Sequence, residues 1–303
     1  MTQSHTNVRR VRAQIVNGFV TGKIGGNPAG VVLDADNLSE EDMLNIAAQV
    51  GLSETAFVSQ SDAADFKLDF FTPNRRIAHC GHATIATFSY LTEIGRVSEG
   101  ETSKETVDGP RKILIKNGAA FMEQLAPTYR KPSDWQSQGV TVQDVLASLG
   151  LSEGDLDSRI DPVLVNTGNS FIVVAVTDTS VLGAITPNFS QIADISEKLN
   201  LIGYYVFTTE TESTDRDATT RMFGPRFAIE EESATGMAAG PLACLLYDFL
   251  DLKKETLMIE QGNFMHPASP SQISVELIIE NAQIKGLMAG GYGKVMAQLD
   301  ITL

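Results

Sequence analysis

Polar and apolar positions change period many times along this chain. Residues 12–19 alternate and predict a strand; residues 22–28 (GKIGGNP) form a turn-rich loop, and residues 29–33 are a short apolar strand. Met43, Ile46, Ala47 and Val50 then recur at helical spacing, behind Ser39 as N-cap and an acidic first turn, with Gly51 as the stop. Residues 55–59 and 66–71 read as strands paired through the polar stretch between them. Residues 83–94 predict a helix with few charges on any face, and a helix apolar nearly all round is a buried one. Residues 112–115 and 119–125 flank Asn117-Gly118, a strong hairpin signal. Residues 126–159 hold one helix, near 142–149, and read as a crossover.

Much of this pattern then returns. Gly26-Asn27 and the apolar run to Leu33 are echoed by Gly168-Asn169 and the run to Val174. The helix at 39–50 is echoed at 190–199. Phe71-Thr-Pro73, followed by Ile77, is echoed by Phe223-Gly-Pro225, followed by Ile229. His82-Ala-Thr84 and its buried helix are echoed by Ser233-Ala-Thr235-Gly236 and an apolar helix at 237–250, and the closing hairpin by strands at 272–279 and 283–288. A repeat of about 140 residues is domain-sized and implies a duplicated domain. Many short strands with one nearly all-apolar helix per half are accommodated most simply by strands that wrap the helix. The expected fold class is therefore α+β: two similar domains, each a mostly antiparallel β-roll around a central buried helix. The first would span 1–128, completed by a strand at about 290–303, and the second 129–289. If the halves meet about a pseudo-twofold, both helix starts converge on a cleft between domains, a favoured place for a ligand.

A length of 303 residues agrees with two domains. Lys and Arg number 23 against 38 Asp and Glu, a net charge of −15, so a phosphate backbone is repelled and nucleic acid is excluded as a partner. Two cysteines, Cys80 and Cys244, make no disulfide framework. No apolar run reaches membrane-spanning length, and the arginines near the start precede no apolar signal region, so a reducing cytoplasm is the expectation.

The candidate chemistry gathers around Cys80-Gly81-His82, read as a loop leading into the helix at 83–94. A helix start presents unpaired backbone N–H groups and the positive end of the helix dipole, a cradle for a carboxylate. The N–H groups at Gly81–Ala83 and at Ser233–Gly236 would form two such cradles. Glu54 lies between the stop at Gly51 and the strand at 55–59, and a carboxyl tuned by burial can remove and return a proton. His82 can satisfy the loop, donate to a substrate, or join His79 and Cys80 at a metal. The last is disfavoured: of four histidines (His5, His79, His82, His266), none adds a third ligand at metal-like spacing. Residues 286–293 (GLMAGGYG) are glycine-rich but lack the strand–loop–helix setting of a dinucleotide site.

As a set, Gly26-Asn-Pro-Ala-Gly30, Leu52-Ser-Glu-Thr-Ala-Phe57, Phe71-Thr-Pro73, Cys80-Gly-His-Ala-Thr84, Arg221-Met-Phe-Gly-Pro225, Glu231-Glu-Ser-Ala-Thr-Gly236 and Glu260-Gln-Gly262 resemble the phenazine-biosynthesis PhzF-like family, in order and over nearly the whole chain. The resemblance implies the two-domain fold of diaminopimelate epimerase. It also implies a cofactor-independent isomerase with Glu54 as catalytic acid/base, no metal, and a small carboxylate-bearing substrate. Substrate contacts would come from Asn27, Gly81, His82, Ala83, Glu232, Ser233, Ala234, Thr235, Gly236 and Met237. Family members are often dimers, so a homodimer is the expectation, although no stripe of residues marks an interface. Glu232 stands where the family usually has Asp, Ser233 where it has Pro, Met237 where the phenazine enzyme has a substrate-contacting Ser, and Arg76 where relatives often have Glu. The resemblance therefore carries the fold and Glu54 but not the phenazine substrate.

In epimerase relatives two facing cysteines exchange the proton. Cys80 takes the first of those places and is the candidate auxiliary group. Ser233 takes the second, and its hydroxyl is too weakly acidic to replace a thiol unaided. Two alternatives stay open: an amino- or hydroxy-acid epimerase using Cys80, and a non-catalytic member that binds a small anion or a protein.

Overall fold

The computed structural model describes residues 9–211 and 213–303; residues 1–8, with His5, lie outside the described residues. The chain divides into two compact units. One consists of the residues up to Gly18 with Pro28–Met122 and Tyr292–Leu303; the other consists of Phe19–Asn27 and Glu123–Gly291. The segment Phe19–Asn27 thus leaves the first unit, to which the sequence pattern assigns it. The reason is long-range hydrogen bonding. The Phe19 carbonyl accepts from Gln272 N–H at 2.9 Å, and the Gly26 carbonyl accepts from the Ser233 and Ser269 hydroxyls at 3.1 and 2.7 Å.

In the first unit the helix Gly81–Glu93 is buried from Gly81 through Ser89 and again at Leu91. It packs against the strands Arg10–Gly18, Thr55–Ser59 and Gly293–Thr302. Gly18 permits one close approach: a Cβ there would lie 2.8 Å from the His82 carbonyl oxygen. Gly293–Thr302 runs antiparallel to Arg10–Gly18, so the last strand of the chain closes the roll begun by the first. The helix starts earlier than residue 83. Cys80 is its extended N-cap, and Gly81 and His82 belong to the first turn. The expected loop at Cys80-Gly81-His82 is therefore a helix start, which the bulk-free Gly81 hides from the apolar pattern.

Glu40–Val50 forms as its sequence requires. The Ser39 hydroxyl accepts from Asp42 N–H and the Asp42 carboxylate accepts from Ser39 N–H, a complete capping box. Gly51 ends the helix in the left-handed region at φ 69°, where glycine carries no steric penalty. Asn117 and Gly118, at φ 52° and 76°, make the two-residue turn between Gly109–Lys116 and Ala119–Leu125.

The second unit has its own buried helix, Gly236–Phe249, against the strands Val163–Asn166, Ser170–Ala175, Ser271–Glu280 and Gln283–Gly291. Two further helices, Val142–Leu149 and Phe189–Leu199, join Trp135, Ile172, Tyr204, Val206 and Phe223 in a second apolar layer.

The repeat read from the sequence reappears in strand pairing. In the first unit Asn27–Val32 pairs in parallel with Thr55–Ser59 through Gly30, which pairs antiparallel with Phe66–Phe71. That strand pairs antiparallel with Arg76–Ile77 and in parallel with Gly100–Thr106. In the second unit Ser170–Ala175, Gly203–Thr208, Ala218–Gly224, Ile229–Glu232 and Thr256–Gln261 repeat the same senses in the same order. Each unit is a strand roll around one helix, and the fold is α+β of the diaminopimelate-epimerase type. Among the described residues no helix is long and apolar enough to cross a membrane.

Candidate active site

Glu54 is set by its backbone. Its carbonyl accepts from Gly30 N–H at 3.0 Å, where Gly30 faces Thr55 across the parallel pair. Only glycine fits there, since a Cβ on Gly30 would lie 2.6 Å from Thr55 Oγ1. The glycine that closes the Gly26–Gly30 motif thus holds the residue before the strand Thr55–Ser59. The Glu54 side chain is buried, and its Oε2 has no hydrogen-bond partner. A buried carboxylate oxygen in that condition is rare in folded proteins.

The start of the buried helix supplies the neighbours. His82 is 4% exposed, and its Nε2 lies 3.3 Å from Glu54 Oε2. Its Nδ1 lies 3.5 Å from Cys80 Sγ. Burial pushes the Cys80 thiol up from its ordinary value, and the Glu54 carboxylate adds to this; His82 and the Ala83 N–H oppose both. Cys80 is therefore held as a thiol beside an imidazole and a carboxylate. Glu54, Cys80 and His82 each offer one ligand atom, all within 4.8 Å of one another. His79 is not among them, and Glu54, 28 residues from His82 in sequence, supplies the third atom instead.

Behind this turn lies a group the sequence did not reveal. Lys104, in Gly100–Thr106, is 1% exposed. Its ammonium donates to Thr84 Oγ1 at 2.6 Å, lies 3.1 Å from His79 Nδ1, and sits over the Phe70 ring. An ammonium only donates, so His79 must accept at Nδ1 and carry its proton at Nε2. Thr84 Oγ1 in turn donates to the Cys80 carbonyl at 2.7 Å. Lys104 therefore ties both sides of Cys80. Burial pulls Lys104 down to about 7, against an attraction to Cys80, and pulls His79 down to about 3, with the Lys104 charge adding to the effect. The strand GETSKET is polar at nearly every position, so local pattern gives it no core face.

The second turn is internally braced. Asn27 Nδ2 donates to Glu232 Oε1 at 2.9 Å and to the Ala234 carbonyl at 3.1 Å. Glu232 Oε2 accepts a short hydrogen bond from Thr235 Oγ1. The Thr235 N–H, expected to be free for an anion, is taken by Gln261 Oε1 at 3.1 Å. Ser233 donates its hydroxyl to the Gly26 carbonyl and is 5% exposed. The amide of Asn169 lies 3.4 Å from the sulfur of Met237. Gly236 sits where a Cβ would press on Phe19, and its carbonyl accepts from Gln124. Among the candidate substrate contacts, Asn27 and Ser233 thus hold the turn together. Arg76 is paired with Asp69, and Cys244 is fully buried in its helix.

A sequence profile described as phenazine biosynthesis-like protein (PhzC-PhzF) matches residues 16–296. The chain belongs to this family. A relative in Bacillus subtilis (strain 168), the uncharacterized isomerase YfhB, is 30% identical over 278 residues, 90% of this chain and 92% of its own. The crystal structure of the Bacillus anthracis phenazine biosynthesis protein of the PhzF family superposes with a TM-score of 0.86 at 27% identity, covering 97% of this chain and all of the other. A hydroxyproline epimerase from Agrobacterium vitis, with bound trans-4-OH-L-proline, shares the fold at a TM-score of 0.56 and 14% identity, with 97% of this chain and 92% of the other covered. PhzF-family membership places the chain among proteins named as isomerases, on an epimerase-like fold.

Proposed function

We propose that this PhzF-family protein is an isomerase that moves a proton within a small carboxylate-bearing substrate, with Glu54 as the single general acid/base. The observation that carries the reading is the Glu54 carboxylate: buried, with Oε2 3.3 Å from His82 Nε2 at a helix start and in no regular hydrogen bond among the described residues. A buried acceptor of this kind is poised to take a proton from carbon, and His82 can donate to the carboxylate or to a substrate oxygen. The first-turn N–H groups at Gly81–Ala83 would hold a substrate carboxylate. Within the second unit, Asn27 and Ser233 brace the turn that carries Glu232, Ala234, Thr235, Gly236 and Met237, the other candidate contacts for a substrate. The substrate supplies the conjugation that acidifies the carbon, and no cofactor is required by this chemistry.

The test is proton exchange in D₂O with a panel of unsaturated and aromatic-precursor carboxylates, comparing wild type with Glu54→Gln. Deuterium incorporation is expected only with wild type; equal incorporation by both proteins removes Glu54 from the mechanism. The Cys80–His82 contact supports one rival, in which Cys80 is the proton carrier of an epimerase. That rival requires Cys80→Ala to be inactive, whereas the Glu54 reading requires it to keep most of its exchange. Tight binding without turnover of any carboxylate would favour a non-catalytic member.

A further inference from the structure

We propose that Glu54, Cys80 and His82 form a three-ligand site for a borderline divalent cation of the Zn²⁺ type, and that an ion bound there removes Glu54 from proton transfer. The second part rests on the reading of Glu54 as the base.

The donor set is one carboxylate, one thiol and one imidazole, a combination that selects zinc-like ions over magnesium or calcium. Zinc bonds of about 2.0–2.3 Å in tetrahedral array place neighbouring ligand atoms roughly 3.3–3.6 Å apart. Here Glu54 Oε2 and His82 Nε2 are 3.3 Å apart, and Cys80 Sγ lies 4.0 Å from the same nitrogen. All three ligand atoms lie within 4.8 Å of one another, so an ion would draw Cys80 Sγ inward to complete the set.

Glu54 Oε2 makes no regular hydrogen bond among the described residues and faces His82 Nε2, so its remaining lone pairs are open to a cation held between the two. Charge also balances. Cys80, Glu54 and His82 are 6%, 8% and 4% exposed, so a net charge among them is costly, and one carboxylate plus one thiolate neutralise a divalent ion. Binding breaks the Cys80 S–H bond and forms a metal–sulfur bond; the proton leaves to solvent, and nothing is oxidised or reduced. Three protein ligands leave a fourth position open to water or a substrate carboxylate. The isomerase would then be held inactive by the ion and released by chelation.

The test uses the full chain, stripped of metal with a chelator and desalted, and needs no substrate. Titration with Co²⁺ is expected to give one equivalent of a tetrahedral centre with a sulfur-to-cobalt charge-transfer band, displaced by Zn²⁺. Cys80→Ala and Cys80→Ser should abolish the band and weaken Zn²⁺ binding, read by dye competition, by more than about 100-fold, beyond the loss of an outer-shell partner. Glu54→Gln should weaken it as well, and Cys244→Ala should keep band and affinity; circular dichroism checks that each variant is folded. Absence of binding, binding without the sulfur band, or affinity unmoved by Cys80→Ala overturns the site. One equivalent of Zn²⁺ should also stop deuterium exchange, with recovery on chelation. A sulfur-ligated metal that leaves exchange intact upholds the site and overturns the block, while loss of exchange in metal-free Glu54→Gln reports on the base alone.

Discussion

Lys104→Met offers a sharp test of the physics beneath the turn. The side chain is 1% exposed, with two neutral hydrogen-bond partners and an aromatic face. Other charges facing it are Arg111 across the antiparallel pair and Asp108 in the connecting turn. Burial pulls Lys104 down from 10.5 to about 7. The sign follows from proton counting. The unfolded chain keeps this proton to the higher value and the folded protein loses it at the lower, so between them the unfolded state binds one more proton and stability rises with pH. Over the whole interval the effect is about 5 kcal/mol, and from pH 7 to 9, allowing for half-titration at the start, about 2 kcal/mol.

Two other sets of groups titrate around the window from pH 7 to 9, and both are shared by wild type and variant. From its upper end, the buried thiols of Cys80 and Cys244 and the phenols of Tyr129, Tyr204 and Tyr205, all pushed up by burial, hold protons longer in the folded state and lower stability as pH rises. Below it, His79, pulled down to about 3, costs stability as the unfolded histidine protonates. Urea unfolding of wild type and Lys104→Met at pH 7, 8 and 9 measures the difference. Wild type should gain about 2 kcal/mol relative to the variant across the window. The lost bonds to Thr84 and His79 shift the variant by a constant and leave the slope untouched. Parallel pH dependence of the two proteins would refute a buried lysine titrating near neutrality.

Gly30→Ala should cost about 1–3 kcal/mol, because its Cβ would meet the stiff, buried Thr55 side chain at 2.6 Å; Thr55→Ala in the same chain should restore most of it in denaturant unfolding. The same variant moves the N–H that anchors Glu54, so its deuterium exchange should fall further than its stability accounts for. Asn27→Ala removes one hydrogen bond to Glu232 Oε1 and one to the Ala234 carbonyl and should lose about 1–3 kcal/mol. Asn27→Asp replaces the amide that donates to Glu232 with a second carboxylate and should destabilise more than Asn27→Ala in the same unfolding measurement at pH 7.

The sequence by itself determined the elements whose cause is local. The Ser39–Asp42 capping box, the Gly51 stop and the Asn117-Gly118 turn each rest on a few adjacent residues, and their elements stand where the pattern puts them. The buried helices were legible because an apolar face all round admits only burial, and the repeat because both halves carry the same order of signals. Glu54 and His82 were legible through the family's motifs. Tertiary structure alone decided the rest. Phe19–Asn27 joined the second unit through hydrogen bonds to Ser233, Ser269 and Gln272, all more than two hundred residues away in sequence. The same packing turned Asn27 and Ser233 into braces and sent the Thr235 N–H to Gln261. A polar strand was drawn into the core by parallel pairing with Phe66–Phe71, which placed Lys104 behind Cys80. The meeting of Glu54 with Cys80 and His82 belongs here too, since proximity in space follows from how strands and helix pack and leaves no trace in the spacing along the chain.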